Sequence, residues 1–237
     1  MRTRGSKGAE TLRAIRSAAI DLLAERGYEA TNLRTLAKRV GLQAGSLYNY
    51  IDSKQHLLFW LLKEGTDRLL AGFDATVEGI EEPQAQMREF VAFHLGYHIA
   101  NIKESIVLSG EMRSLNAKNY RICTRLLRIY TGRVQDIIER GVAAGKFAVA
   151  DSQVAAYAIL QMLTVAIRWY RPAGRLTPGE LVKIYTGMTL MMLGAEVRVA
   201  AAQTSNGSDA GERLERVQKE AASAGTRTPA YGELGKA

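Results

Sequence analysis

The sequence predicts an all-α fold, and three observations carry that expectation. Apolar residues recur at three- and four-residue spacing in one segment after another, and no stretch alternates as a half-buried strand would. The chain has 237 residues and only 4 prolines, with a hydrophobic fraction of 47%. Residues that open and close helices stand at the ends of the periodic segments.

Leu12, Ile15, Ala19, Leu22 and Leu23 form the inner face of a first helix, with Arg13, Arg16, Asp21 and Glu25 outside and Gly27 as its C-terminal stop. Thr31 is the expected N-cap of a second helix carrying Leu33, Leu36, Ala37 and Val40 inward, which Gly41 ends. A turn of about three residues leads to a third helix, Ala44 to Tyr50, with Leu47 and Ile51 pointing back. Ser53 caps a fourth, whose apolar face is Leu57, Leu58, Trp60 and Leu61. Pro83 opens a segment with Met87, Phe90, Val91, His94 and His98 on one side. Asn119 to Val142 is a long amphipathic helix ended by Gly145. Asp151 caps a helix that is apolar nearly all round, and so buried on several sides. Thr177 and Pro178 open the last one, with Leu181, Ile184, Tyr185, Met188, Met191, Met192 and Ala195 on its face. Three regions are expected: a helix-turn-helix domain over 1–53, a second, larger helical domain over 54–196, and a disordered tail over 197–237 with a brief helix near 212–222.

The net charge of +8 is unevenly spread. Up to His56 there are ten basic residues against five acidic ones, so +5 of the excess sits in the first quarter. That asymmetry points to a polyanionic partner, a solubilising tail being the plainer explanation. A single cysteine, Cys123, rules out an intramolecular disulfide and offers no thiolate cluster for zinc. The start, MRTRGSKGAE, leads into no apolar signal region, and Val154 to Ile167 falls short of a membrane span. A cytoplasmic protein is expected.

In a helix-turn-helix the second helix enters the major groove and its first residues reach base edges. Here those residues are Gln43, Ala44, Gly45 and Ser46, small enough for the backbone to approach DNA closely. One turn on, Asn49 is able to read adenine, and the hydroxyls of Tyr48 and Tyr50 are within reach of phosphates. Lys54 sits in the first turn of the next helix, where free amides already favour an anion. Thr31 and Arg34, at the start of the second helix, complete the DNA-contact candidates. Packing of both tyrosines into a small core is the plainer alternative, but they lie on different faces.

These residues resemble the DNA-binding domain of the TetR family of transcriptional regulators. The likeness runs over residues 10–60, through "ERGYEAT" and "LRTLAKRVGLQAGSLYNYIDSKQHLL", and Gly41, Gly45, Leu47, Tyr48, Tyr50, Ser53 and Lys54 fall on the family's pattern. Gln43, where the family often has serine, and Ile51, where it often has phenylalanine, depart from it. The resemblance implies a homodimer that blocks a promoter at a palindromic operator and releases it when a small molecule enters the C-terminal domain. "IRWYRPAGRLTPGEL", Ile167 to Leu181, is similar to a segment of TetR-type regulators of lipid and acyl-CoA degradation. It implies an acyl-CoA or a related apolar acid as effector; a flat aromatic molecule is the alternative.

Phe90, His94, His98, Leu126 and Tyr130 are the candidate wall of an effector pocket. Arg168, Arg171 and Arg175 are candidates for the phosphates of a CoA ester, with helix C-capping by the first two as the competing role. Leu160, Leu181, Tyr185, Met188 and Met192 are the expected dimer contacts, two copies of the last two helices forming a four-helix bundle. Lys118, Arg121, Arg125 and Arg128 make a basic stripe that reads first as a solvated face. His94 and His98 are one turn apart, as in a zinc site, but HLGYH lacks the glutamate of an HExxH protease. No phosphate loop, nucleophile elbow or paired carboxylate appears, so no enzyme, metal or cofactor is expected. Two rival readings remain: a helical metal-dependent enzyme using His94, His98 and Glu111, and an architectural DNA-binding protein without an effector.

Overall fold

A computed structural model describes residues 4–195, and every regular element among them is helical. The expected tail over 197–237 and the brief helix at 212–222 lie outside the described residues. The helices are α1 (Arg4–Ala30), α2 (Leu33–Arg39), α3 (Ala44–Leu47), α4 (Lys54–Val77), α5 (Pro83–Ala100), α6 (Ile102–Gly110), α7 (Ala117–Ala143), α8 (Ser152–Val165) and α9 (Pro178–Met192). Short 3₁₀ turns, Met112–Ser114 and Ala166–Arg168, follow α6 and α8.

Packing divides the chain into two compact units. The first takes the chain to Asp67 and then Asn101–Ile129; the second takes Arg68–Ala100 and the described residues from Tyr130 onward. The first unit has an aliphatic core in which Ile15, Leu36, Leu47, Ile51, Leu58 and Leu62 are fully buried. The predicted pattern is realised here: helical spacing brings Ile15, Ala19 and Leu22 of α1 onto Leu36 and Ala37 of α2. The regular helix α1 breaks at Gly27, whose φ of 74° and ψ of 173° only glycine adopts freely. Gly41, at φ 69°, ends α2 in the same way, with the Leu42 amide donating to the Ala37 carbonyl at 2.9 Å.

Two local expectations are corrected. The N-cap of α2 is Asn32, whose side-chain oxygen accepts from the Thr35 amide at 2.8 Å, and not Thr31. Helix α3 is a single turn, Ala44–Leu47, where Ala44 to Tyr50 was expected. Beyond it the chain tightens, the amides of Asn49 and Tyr50 donating to the carbonyls three residues back, Ser46 and Leu47. Leu47 and Ile51 still point inward, each 0% exposed. Ser53 caps α4 as expected, its hydroxyl accepting from the His56 amide at 3.0 Å.

In the second unit α5 packs against α9 and α8. Asp151 caps α8 through the Val154 amide at 2.9 Å. Thr177 and Glu180 form a reciprocal capping box at the start of α9, with Pro178 in its first turn. No described helix is long and apolar enough to cross a membrane.

Candidate nucleic-acid interface and effector site

The turn between α2 and α3 leaves the predicted DNA-contact residues from Gln43 to Asn49 in the open. Gln43, Ala44, Gly45, Ser46 and Asn49 are exposed, and Tyr48 is 55% exposed. Tyr50 instead packs half-buried against the aliphatic core, so the two rings do separate, one outward and one inward. Gly45 has ordinary helical geometry, and a Cβ built on it meets nothing within 4 Å. Glycine in a helix costs about 0.5–1 kcal/mol relative to alanine, and nothing inside this chain requires it there. The missing side chain leaves room for a close approach from outside.

Arg34 and Lys38 stand exposed on α2, while Arg39 is held by Glu25 through two hydrogen bonds of 3.1 and 3.2 Å. That pairing lowers the Glu25 carboxyl below its usual range. Lys54 is turned to the chain's own groups: its ammonium donates to the Glu29 carbonyl at 3.2 Å and lies 4.1 Å from the centre of the Tyr28 ring. Thr31 is corrected as a DNA contact as well as a cap. It is 3% exposed, and its hydroxyl donates to the carbonyls of Gly27 at 2.8 Å and Leu22 at 3.3 Å, which keeps it from a phosphate.

The second unit brings together four of the five expected effector residues. Phe90, His94, His98 and Tyr130 are all buried, with the His94 ring centre 5.4 Å from Phe90 and 4.4 Å from His98. Leu126 is half-buried and belongs to the first unit. His94 Nδ1 is hydrogen-bonded to the Tyr130 hydroxyl at 2.7 Å, and Nε2 to the Thr164 hydroxyl at 3.0 Å. Burial holds His94 well below the usual imidazole range, His98 adding to it, and takes His98 down to about 4. Burial also raises the Tyr130 phenol well above its ordinary value. The cluster is therefore neutral, its imidazole and hydroxyls paired with one another inside an apolar interior.

Phe73 completes the cluster, edge-on to Phe90 at 5.5 Å and to Tyr130 at 5.7 Å. Its other side floors an open groove of about 480 Å³ between α4 and α7, with Ile137 beside it and Asp74, Arg133, Asp136 and Arg140 at the edges. Asp74 and Arg133 form an ion pair across it. Neither Phe73 nor Thr164 was singled out from sequence. A hydroxyl inside the apolar run of α8 was the available signal for Thr164, whereas the place of Phe73 depends on packing between distant helices.

The arginines of the 168–175 loop are all exposed. Arg171 donates to the carbonyls of Tyr170 at 3.1 Å and Arg168 at 3.4 Å, the capping role. Glu111 does not join the histidines as a ligand, since its carboxylate accepts from the Tyr28 amide and the Ser114 hydroxyl within the first unit. Among the described residues no three side chains of metal-ligating type gather.

The dimer candidates divide. Leu181 at 1%, Tyr185 at 8% and Leu160 at 9% exposure face into their own fold, which corrects their assignment to an outer surface. Met188 and Met192 are exposed, and with Val154, Tyr157, Ile184 and Met191 they form an apolar surface on α8 and α9. Because both helices are apolar on more than one side, periodicity alone did not separate the inner face from the outer.

Residues 15–60 match the family model described as bacterial regulatory proteins, tetR family, and residues 81–193 match that of the tetracyclin repressor-like C-terminal domain. The HTH-type transcriptional repressor KstR2 of Rhodococcus jostii (strain RHA1) is 27% identical over 190 residues, covering 79% of this chain and 92% of the relative. A tetR-family regulatory protein from Rhodococcus RHA1 superposes with a TM-score of 0.75 at 28% identity, covering 79% of this chain and 98% of that one. AibR, solved in complex with isovaleryl coenzyme A and operator DNA, superposes with a TM-score of 0.71 at 25% identity, covering 78% and 99%.

Proposed function

The chain belongs to the TetR family of transcriptional regulators, and from that premise we infer that it is a repressor that binds a palindromic operator as a homodimer and leaves it on binding an acyl-CoA. The exposed Gln43–Ser46 tip, with a glycine that its own fold does not require, is the observation that carries the DNA reading. Residues 1–53 form the reading domain and 54–196 the effector and dimerisation domain. Asn49 reads a base, Tyr48 and Arg34 hold phosphates, and Lys54 reaches one by leaving the Glu29 carbonyl.

Dimerisation uses the exposed apolar residues of α8 and α9, since Met188, Met191 and Met192 on one chain are better covered by a second copy than by water. The acyl-CoA class is supported by the relative solved with isovaleryl coenzyme A and operator DNA together. The acyl group lies against Phe73, Phe90 and the neutral His94–Tyr130–Thr164 network, whose hydroxyls and imidazole take its carbonyl. The exposed Arg168 and Arg175 meet the nucleotide phosphates, joined by Arg171 if it gives up its backbone contacts. A ligand moves an equilibrium only by its differential affinity for two states, so a tenfold loss of operator affinity corresponds to about 1.4 kcal/mol of coupling.

The test is a gel shift on a selected operator with a panel of acyl-CoA esters, free acids and aromatic compounds. Release by the CoA esters, weakened in an Arg168→Ala, Arg171→Ala, Arg175→Ala triple variant, is the expected result. Release by free acids alone overturns the CoA assignment and leaves the repressor in place.

A further inference from the structure

Glu111 and Gln55 touch neither the exposed reading tip nor the effector cluster, yet they meet in one polar joint of the first unit. Tyr28 is at its centre, 8% exposed and directly after the left-handed Gly27. The Tyr28 amide donates to Glu111 Oε1 at 3.1 Å, and Glu111 Oε2 accepts from the Ser114 hydroxyl at 2.8 Å. Gln55 Nε2 donates to the Tyr28 hydroxyl and to the Ser114 carbonyl, each at 2.7 Å, while Gln55 Oε1 accepts from the Asn116 amide at 2.9 Å. Three segments thus converge: the 27–31 corner between α1 and α2, the start of α4, and the 111–116 corner between α6 and α7.

The arrangement is more specific than packing requires. A break in a helix such as that at Gly27 frees amides that a nearby Ser or Asp usually takes up. Here the acceptor for the Tyr28 amide comes from 83 residues away along the chain. Gln55 spends both donor hydrogens and its oxygen in the joint, so its side chain has one orientation that satisfies all three partners. The aliphatic core beneath is non-directional and tolerates small rotations, whereas hydrogen bonds of 2.7 to 3.1 Å weaken steeply when misaligned. What leaves this corner next is α2, and then the exposed tip from Gln43 to Asn49.

We propose that Glu111 and Gln55 are positioning residues for operator recognition, fixing the angle at which the helix-turn-helix leaves α1 by clamping the Tyr28 corner onto the 111–116 corner. This rests on the reading of the chain as an operator-binding dimer. A clamp of this kind shows itself in half-site geometry: the intact joint accepts one separation of the half-sites, and a loosened one accepts several.

The experiment measures binding of the full chain and of Glu111→Ala, Gln55→Ala and Tyr28→Phe to the selected operator, and to versions with the half-sites moved one or two base pairs closer or further apart. Salt dependence and thermal midpoint are recorded for each. The wild-type protein should lose about tenfold or more in affinity at a wrong spacing, and the variants should lose most of that discrimination. Their salt slope should stay that of the wild type, because no phosphate contact is removed. Tyr28→Phe deletes one hydroxyl and keeps the ring, so it carries the test even where Glu111→Ala fails to fold. Variants that keep the wild-type preference for one spacing, or that weaken at every spacing by one common factor as a loss of folded protein would, overturn the proposal. A wild-type chain that selects no inverted repeat overturns the operator reading itself, and this inference with it.

Discussion

The interiors of the two units are built from different material. In the first, the largest fully buried side chains are aliphatic, and most buried polar groups are tied within the unit: Thr31 to the Gly27 carbonyl, Thr66 to the Leu62 carbonyl and Glu104 to Arg16 at 2.8 Å, while the Thr124 hydroxyl is buried without a hydrogen-bond partner. In the second, Phe73, Phe90, His94, His98 and Tyr130 fill the middle, and the hydroxyls of Tyr170 and Thr189 are buried without a hydrogen-bond partner. An unsatisfied buried polar group costs about 1–3 kcal/mol. The first unit is thus suited to holding one shape in front of DNA. The second keeps more of its polarity inside, in the His94–Tyr130–Thr164 network and in the hydroxyls of Tyr170 and Thr189.

The largest effect that tests this contrast is in the aliphatic core. Leu36→Ala removes a 0%-exposed side chain and should cost about 2–5 kcal/mol in urea denaturation, with operator binding lost in parallel. A cost under about 1 kcal/mol would mean that the first core is not close-packed in this way.

A smaller effect belongs to the imidazoles of the second unit. Their folded pKa values are depressed, His98 to about 4, so between the unfolded value near 6.5 and that level the unfolded chain binds protons that the folded chain does not. Stability is therefore complete above about pH 6.5 and falls as the pH drops through that window, by about 2 kcal/mol for one histidine on reaching pH 5. His98→Phe should flatten the decline in a thermal-midpoint profile. A profile equally steep in the variant and the wild type would break the contrast.

The smallest effect is a coupling. Tyr130→Phe leaves His94 Nδ1 without its partner, and His94→Leu leaves the Tyr130 hydroxyl without its own. The double variant, which removes both, should cost less than the two single changes added together, by about 0.5–3 kcal/mol. Simple additivity would show that the pair is not a network.

Local chemistry was legible in the sequence and tertiary choice was not. Gly27, Gly41, Ser53, Asp151 and the Thr177–Glu180 box sit where the expected caps and stops were, because a cap depends on a handful of neighbouring residues. Thr31 and Asn32 are both good caps, and only the packing that buries Thr31 decides between them. The exposure of the Gln43–Asn49 tip was legible because it follows from Leu47 and Ile51 turning inward. Leu160, Leu181 and Tyr185 were assigned to the wrong side, since a helix apolar all round does not announce which side meets its own fold. The bonds of His94 to Tyr130 and Thr164, and of Glu111 to Tyr28, join residues 36, 70 and 83 positions apart, which no spacing rule reaches.

Binding-site selection from random DNA tests the central claim most directly, run with the full-length chain and with Asn49→Ala in parallel. The wild-type chain should enrich one inverted repeat whose half-sites lie about one helical turn apart, roughly 34–36 Å, and Asn49→Ala should change the preferred bases at symmetry-related positions of that repeat. Enrichment of no inverted repeat by the wild-type chain, with binding spread evenly over unrelated sequences, would contradict the account.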